Sequence, residues 1–333
     1  MSPKIKDILV KLLKTVIPLA FGILVFVLIF RTLDFHAIMN ILRQDVNWWI
    51  IALSLPFGLG ANIVRAYRWD LLIRPLGYKP KKSNLIYAVL GNYGVNMVFP
   101  RLGEVWRCTA IKQYEKIPFT KLFGTLITDR LADTVSVLTI VMASVILNLK
   151  YFKAFLGQHP DMFDKIYGLL TSVWLYVGIV GFVVAVWLFF HIFRNSKFMK
   201  KIKETLASLW EGIKTIGTMK EKRLFILYTV LIWLGYYLYF YICFYAFPFT
   251  RDLGWVSGLI AFGMSSVAVG IPVQGSIGTW HAMVIAVLMG FGLTATDAGA
   301  FAFCVHTVQQ LIFTAAFGLF GVLALPIANR TKN

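Results

Sequence analysis

The sequence predicts an all-α, polytopic membrane protein with about six full spans and two oppositely oriented re-entrant hairpins. Its 333 residues are 59% hydrophobic and only 14% charged, whereas about 25% of the residues in a typical soluble domain are charged. The mean hydropathy is +0.73, and several apolar runs approach or exceed the ~20 residues that cross a bilayer. Two further apolar stretches are interrupted by Gly and Pro, a pattern that favours broken segments inside a membrane domain.

The full spans follow one another with few ambiguities. The first, 16–30, comes after a basic N-terminus, and no small-residue cleavage site follows it, which favours an uncleaved span over a signal peptide. The second opens at Trp48 and Trp49, an aromatic pair typical of the membrane interface, and is predicted to end near Val64. The remaining full spans are predicted at 122–149, 169–193, 224–247 and 298–327.

Two basic segments are predicted at the membrane surface. Arg65 and Arg68 follow the second span, and we expect their side chains to snorkel to the inner headgroups. Residues 194–223 are the longest hydrophilic segment, and within them apolar residues recur at three- and four-residue steps between lysines. This pattern predicts a cytoplasmic amphipathic helix lying on the membrane.

The distribution of Lys and Arg predicts the orientation. If both termini, 65–82, 101–121 and 194–223 share one side, 26 of the 33 basic residues lie there and six lie in the opposite loops. Acidic residues show no such bias, so the distribution follows the positive-inside rule. We therefore expect both termini to be cytoplasmic. The net charge of +18 is attributed to this orientation and to anionic lipid, and not to nucleic-acid binding.

The same orientation makes 83–100 and 254–291 return to the side from which they came, although either could instead be a pair of short full crossings. An internal repeat supports the pairing, because a Gly, a Pro and a Gly recur 172 residues apart as Gly91–Pro100–Gly103 and Gly263–Pro272–Gly275. Inverted repeats with broken segments are a recurrent transporter design. The chain is thus predicted to be one membrane domain, 1–333, with repeat halves 83–149 and 254–327.

Four residues are predicted to break the helices of these hairpins: proline removes a backbone donor, and glycine adopts conformations that other residues avoid. They are Pro100, Gly103, Pro272 and Gly275.

Charged residues gather beside the first break and inside the third span. They are Arg101, Glu104, Arg107, Asp129, Arg130 and Asp133. A charge inside a span costs roughly 2.5–3.5 kcal/mol on insertion scales, so such residues usually serve a function. Arginine forks and a helix N-terminus near Gly103 both suit a phosphate. The alternative for the charges beside the first break is a loop in which they are solvated or paired with each other. The alternative inside the third span is a structural pair of Arg130 with Asp133. Asp129 would then remain to pair with Arg101, Arg107 or a cationic headgroup.

Neutral polar residues mark the second half. Gln274 could present an amide at the second break, while His281 and His306 could serve as helix contacts, proton relays or substrate contacts. The sequence has no nucleophile elbow, P-loop, zinc-spaced set or dinucleotide fingerprint. We therefore predict no catalytic residue, cofactor or metal, and an enzyme is the less favoured reading. The three cysteines are expected to pack in the core.

Four segments carry a resemblance to a known family: RAYRW (65–69), NMVFPRLGEVWR (96–107), TDRLAD (128–133) and IPVQGSIGTW (271–280). Here the chain resembles the membrane domain of lysylphosphatidylglycerol synthase/flippase proteins. An Asn-x-x-x-Pro-x-Arg-x-Gly-Glu-x-x-Arg element matches from Asn96 to Arg107, and an Arg-x-x-Asp element matches at Arg130 and Asp133. In the bifunctional relatives a soluble domain adds an amino acid to the lipid. No such domain follows the last span here, so the resemblance implies lipid translocation without aminoacylation.

The leading hypothesis is a flippase-like transporter of the bacterial inner membrane for a phospholipid or polyprenyl-linked lipid. Arginines 101, 107 and 130 would bind phosphate, the three acids would balance charge or meet a cationic headgroup, and Asn96, Gln274, His281 and His306 would complete the site. One alternative is a membrane-embedded headgroup transferase with Glu104 or Asp129 as general base. Another is an accessory subunit of a lipid-modifying system. A homo-oligomer or a separate lipid-modifying enzyme is a further candidate partner.

Overall fold

The computed structural model describes residues 16, 19–99, 101–147, 168, 171–173, 177–178, 181, 219–271 and 273–330. Secondary structure within these residues is helical, and they contain no strand. The α-helices are α1 Leu19–Phe30, α2 Phe35–Gln44, α3 Trp48–Ile73, α4 Lys82–Val98, α5 Leu102–Glu115, α6 Phe119–Leu147, α7 Lys222–Tyr241, α8 Gly254–Val269, α9 Thr279–Gly290, α10 Ala295–Val305 and α11 Thr314–Ile327.

The helices confirm an all-α, multi-pass membrane protein. Five helical stretches are long and apolar enough to cross a bilayer, and α1 with α2, bent by 87°, makes a sixth candidate. The predicted fourth span, 169–193, falls almost wholly outside the described residues, and so does most of the predicted amphipathic segment 194–223. The described residues between 16 and 144 and between 219 and 330 belong to one compact unit, which contains every helix named above apart from the last residues of α6.

The second span does not end at Val64 as predicted. The helix α3 continues to Ile73, so Arg65 and Arg68 lie inside it, and both side chains are buried. The expectation that they snorkel to the headgroups is therefore wrong. Their charges are neutralised by aspartates of another helix, which removes the reason for a basic residue to leave the protein interior.

The chain leaves helical geometry at both predicted breaks. Helix α4 ends at Val98 and α5 begins at Leu102, with Arg101 between them at a left-handed φ of 64°. Helix α8 ends at Val269, and a 3₁₀ turn at 274–276 precedes α9. Pro100 and Pro272 themselves lie outside the described residues. The inverted orientation of the two halves stays a prediction. By length and composition α8 with the turn before it could also cross the membrane.

Small residues bring the first broken segment against the last helix. At Gly94 of α4 and Gly318 of α11 the two backbones are in direct contact, and neither position has room for a Cβ. One turn away, Gly321 lies directly against the backbone of Gly91 and also has no room for a Cβ. Such contacts let membrane helices pack where apolar side chains give no preference over lipid. This crossing fixes α4, and with it the first break, against the body of the protein.

The last helical stretch changes geometry halfway. Between α10 and α11, residues His306–Phe313 form a π-helical segment, while the stretch as a whole runs unbroken from Ala295 to Ile327. A π segment rotates the side chains that follow and is frequent near functional sites. An apolar core lies beside it, where Phe240, Phe244 and Phe301 pack edge to face.

Candidate functional site

Two aspartates of α6 and two arginines of α3 form the centre of a buried ion cluster. Arg68 donates from Nε to Asp129 Oδ1 at 2.9 Å and from Nη2 to Asp133 Oδ1 at 2.7 Å. Arg65 donates from Nη1 to Asp133 Oδ2. The arginines are three residues apart and the aspartates four apart, so each pair presents one face of its helix to the other. All four side chains are buried.

Helix α5 adds a third arginine from behind. Arg107 lies 3.3 Å from Asp129 Oδ2, and its guanidinium carbon is 3.8 Å from the centre of the Trp69 ring. That ring is fixed because its Nε1 donates to Thr125 Oγ1 at 2.9 Å. The Arg107 Nε and Nη1 atoms have no hydrogen-bond partner, and the aromatic face offers them a cation–π contact instead. Arg107 is thus a positioning residue that holds Asp129.

Arg130 has the most exposed side chain of the four arginines in the cluster. Its Nη2 lies 3.3 Å from both Asp129 Oδ2 and Asp133 Oδ2, and its Nη1 lies 4.0 Å from Glu104 Oε1. The predicted pair of Arg130 with Asp133 is present. Asp129 pairs with Arg107, which is one of the partners that the sequence offered for it. The Arg130 side chain is 35% exposed, and its Nε has no partner.

Positive charge exceeds negative charge at this cluster. Arginines 65, 68, 107 and 130 face aspartates 129 and 133, and Glu104 at the edge offsets only part of the difference. A buried ionic group that lacks compensation is costly, since desolvation is not repaid. The surplus of positive charge therefore predicts that an anion is attracted to the cavity beside the cluster.

Two tyrosines and an amide extend the cluster from Arg65. Its Nε donates to Tyr236 Oη at 3.3 Å, and that hydroxyl donates to Asn62 Oδ1 at 2.8 Å. Tyr93 lies 3.2 Å from the same hydroxyl. Sequence reasoning missed Arg65, Arg68 and these tyrosines. Two signals could have found the arginines: the complementary spacing of the arginine pair and the aspartate pair, and the RAYRW segment (65–69) of the family resemblance.

The cluster borders a cavity of about 730 Å³ between the two broken segments. Five charged side chains line it, namely Arg65, Arg101, Glu104, Arg130 and Asp133. Hydroxyls, amides and aromatic rings also line the cavity, among them those of Ser265, Ser266, Ser276, Gln309, Gln310, Trp233, Phe262 and Trp280. A volume of this size matches that of typical small-molecule sites, roughly 300–1,000 Å³.

The first break forms part of the cavity wall. Asn96 lines the cavity and accepts from the Gly103 backbone N–H at 2.7 Å, while Gly103 packs directly against the Asn92 carbonyl. The first turn of α5 therefore already uses one of the donors expected to face a phosphate. Arg101 reaches across and donates to the Gly270 carbonyl at 3.2 Å. Because Gly270 directly follows the last residue of α8, this bond joins the first broken segment to the second.

The predicted polar residues of the second half are placed differently. Gln274, His281 and His306 are buried and do not line the cavity. The His306 ring nitrogen Nε2 lies 2.8 Å from the Gly275 carbonyl, and His281 Nδ1 accepts from the Gly278 N–H. The two imidazole centres are 4.2 Å apart. These contacts hold the backbone of the second break, which is the helix-contact role among those considered.

The described residues contain no group of three or more His, Cys, Asp or Glu side chains that could hold a metal ion. Of the residues that the sequence predicted for the site, five line the cavity: Asn96, Arg101, Glu104, Arg130 and Asp133. Asp129 and Arg107 lie behind them in the ion cluster.

Comparison with known proteins identifies the family. A family model described as the lysylphosphatidylglycerol synthase TM region matches residues 15–318. A similar protein is the UPF0104 membrane protein MJ1595 of Methanocaldococcus jannaschii, 25% identical over 128 residues. That match covers 38% of this chain and 38% of the relative. The chain belongs to the lysylphosphatidylglycerol synthase TM region family, whose role lies in the modification or transport of membrane lipids.

Proposed function

We propose that this member of the lysylphosphatidylglycerol synthase TM region family is a flippase-like transporter, which moves a lipid with an anionic or zwitterionic headgroup between the leaflets of a bacterial inner membrane. One observation carries the proposal: an arginine-rich cavity lies inside a membrane domain, between two broken helical segments. A cavity of this kind is unexpected in a domain that only anchors a protein, because intramembrane charge is costly.

The physical task of such a transporter is to lower the cost of a charge in the membrane. An ionised group transferred to an apolar medium without partners loses tens of kcal/mol of solvation in the Born limit. A phosphate beside the arginines that line the cavity would exchange water for the forks of Arg65, Arg101 and Arg130. The acyl chains would remain in lipid while the headgroup is inside.

The two breaks supply the elements that could move. Arg101 lines the cavity, and its side chain also bonds the first break to the second. Its bond to the Gly270 carbonyl competes with a phosphate for the same guanidinium. Binding of a headgroup would therefore favour separation of the two segments. Opposed broken segments around a central site are the arrangement by which many transporters alternate access.

Reconstitution tests this function directly. Purified protein in liposomes should redistribute a labelled phospholipid between leaflets without changing the lipid's mass. Arg130→Ala should slow redistribution about tenfold to a hundredfold, because a charge-assisted hydrogen bond contributes about 1.5–3 kcal/mol. The matched control is Arg223→Ala, since Arg223 is exposed and outside the cavity.

Three other outcomes would contradict the proposal. A mass change without redistribution would favour a transferase, for which Glu104 is the remaining candidate base, because Asp129 is fully buried among arginines. Absence of both signals would favour an accessory subunit. Equal rates for the Arg130 and Arg223 variants would remove the cavity from the transport path.

A further inference from the structure

The π-helical segment 306–313 joins α10 to α11. We propose that this segment is the hinge about which the first broken segment swings against the second, and that Gln309 is the positioning residue that holds the hinge in its present bend. This inference deepens the proposed function and rests on it, because it assigns the movement that would let a lipid headgroup pass.

The helix after the segment carries the first break. At Gly94 and Gly318 the backbones of α4 and α11 are in direct contact. Near the start of α4 and just after the end of α11, two buried side-chain amides bond each other. Asn329 Nδ2 donates to Asn84 Oδ1 at 2.8 Å, and Asn84 Nδ2 donates to Asn329 Oδ1 at 3.2 Å. Close backbone packing of this kind locks two membrane helices together. The first break follows α4 directly and must therefore move with α11.

The residue that begins the segment carries the second break. The Nε2 atom of His306 lies 2.8 Å from the Gly275 carbonyl, and its ring centre is 4.2 Å from that of His281 in α9. In α10, before the segment, Phe301 packs edge to face on Phe240. The second break is thus fixed to the start of the segment, and the first break to the helix after it. The eight residues 306–313 are the covalent joint between the two.

Inside the segment, side chains bind one backbone carbonyl. The Gln309 carbonyl accepts from Tyr239 Oη and from Thr314 Oγ1, both at 3.1 Å. A side chain that inserts into the hydrogen-bond ladder of a helix is a recognised cause of bending. In membrane helices such side chains replace the bonds that the backbone gives up. The segment can therefore change its bend by exchanging a hydroxyl for a backbone N–H, since the buried carbonyl is satisfied in either arrangement.

The Gln309 side chain anchors the segment to two helices outside both breaks. It is 2% exposed, and its Nε2 donates to the Tyr239 carbonyl of α7 and to Ser54 Oγ of α3, the latter at 3.0 Å. Ser54 Oγ can accept because its own proton goes to the Ile51 carbonyl at 2.7 Å. These bonds depend on where the segment lies, so they favour the present bend over any other.

The present bend coincides with a contact between the two breaks. Arg101 donates to the Gly270 carbonyl across them. Because Arg101 follows α4, a swing of α11 would carry it away from Gly270. Residues of the segment and the one after it, Gln309, Phe313 and Thr314, line the same cavity. The hinge therefore lies in the wall of the cavity whose access it would change, and hinges of this kind need only a few residues to absorb the movement.

The test measures the distance between the two broken segments in liposomes. Spin labels are attached at Val98→Cys in α4 and Val267→Cys in α8, two exposed positions outside the cavity lining, and distances are read by pulsed electron paramagnetic resonance. The otherwise wild-type protein should give a short and a long distance. Gln309→Met removes the amide donor and should raise the ratio of long to short about twofold to tenfold for each hydrogen bond lost.

Tyr239→Phe is a second, nearly isosteric variant, which removes only the hydroxyl that donates to the Gln309 carbonyl. It should shift the ratio in the same direction, and both variants should slow the redistribution of a labelled phospholipid by a similar factor. The matched controls are Gln113→Met, at an exposed position of α5, and Tyr245→Phe, at an exposed tyrosine after α7. Both lie outside the cavity lining and should leave the ratio and the rate unchanged.

A purely structural role for Gln309 and Tyr239 predicts a different result. The midpoint of thermal unfolding would then fall in both variants, while the ratio of the two distances in the folded protein stayed at its wild-type value. That result would overturn the hinge. If Gln309→Met does not fold, Tyr239→Phe alone decides, because it removes a single oxygen atom.

The outcomes also separate this inference from the proposed function. An unchanged ratio in the variants, or a single distance in the wild type, together with intact lipid redistribution, would overturn the hinge and leave transport standing. Two distances that respond to the variants, without redistribution by the wild type, would overturn the proposed function. The role of the hinge in transport would fall with it, and the movement itself would stand.

Discussion

The two broken segments share a sequence pattern and differ in what surrounds them. The first, at Arg101, borders an ion cluster and contributes charged side chains to the cavity. The second, at Gly275, is held by neutral contacts, and its buried His281 and His306 point into the protein and not into the cavity. A common helix–break–helix pattern thus determines the backbone, while the helix packed beside each break determines the chemistry. The first broken segment contributes charged side chains to the cavity, and the described lining residues of the second are uncharged.

The largest expected effect comes from removing one arginine of the charged region. Arg68→Ala removes a fully buried guanidinium that lies 2.7 Å from both Asp129 and Asp133. Breaking a buried ion pair from one side costs about 3–5 kcal/mol. We expect a marked loss of folded protein, measured as the yield of monodisperse protein and the midpoint of thermal unfolding in detergent.

Exposed Arg223→Ala is the control for Arg68→Ala and should leave both measurements unchanged. A stable Arg68→Ala protein would show that the cluster does not hold α3 to α6, and the contrast between a charged half and a neutral half would lose its structural basis.

A smaller effect is expected in the neutral region. His306→Ala removes the partner of the Gly275 carbonyl, and an unsatisfied buried acceptor costs about 1–3 kcal/mol. Thermal unfolding should shift downward, while the headgroup preference of the folded protein, measured as the ratio of co-purified phospholipids, should stay as in the wild type. His36→Ala, at an exposed histidine of α2, is the matched control. A changed headgroup preference in His306→Ala would assign this histidine to the substrate path.

The orientation of the two breaks can be tested without perturbing either. The charge distribution predicts that the first hairpin enters from the cytoplasmic side and the second from the outer side. Lys79→Cys and Asp252→Cys are exposed positions near the two entrances. A membrane-impermeant thiol reagent should label the first only from the cytoplasmic face and the second only from the outer face. Labelling of both from one face would contradict the inverted arrangement.

The native cysteines give a low background in that experiment. All three are buried, and burial raises the pKa of Cys108 to about 11. Its thiol therefore stays protonated and unreactive at neutral pH. The parent protein without an added cysteine is the control and should remain unlabelled from either face.

Among the described residues, sequence reasoning located the spans and the places where the chain leaves helical geometry. It did not predict which helices supply the charges that pair with one another. The span containing Asp129 and Asp133 was predicted within three residues of its observed start. Their main partners, Arg65 and Arg68, were assigned to the membrane surface because a basic residue after an apolar run normally marks its end. Glu104 and Arg107 are close in sequence, yet one lines the cavity and the other is buried behind it.

By itself the sequence determined that the protein is a multi-pass membrane domain with two breaks, because hydrophobic length, glycine and proline act locally on the chain. Only the tertiary structure decided which charges neutralise one another, which remain in surplus and which face the cavity. Arg65 and Asp133 are 68 residues apart, and their contact depends on how α3 packs against α6. The electrostatics of a buried site follow from distance and desolvation, and neither is written in the order of the residues.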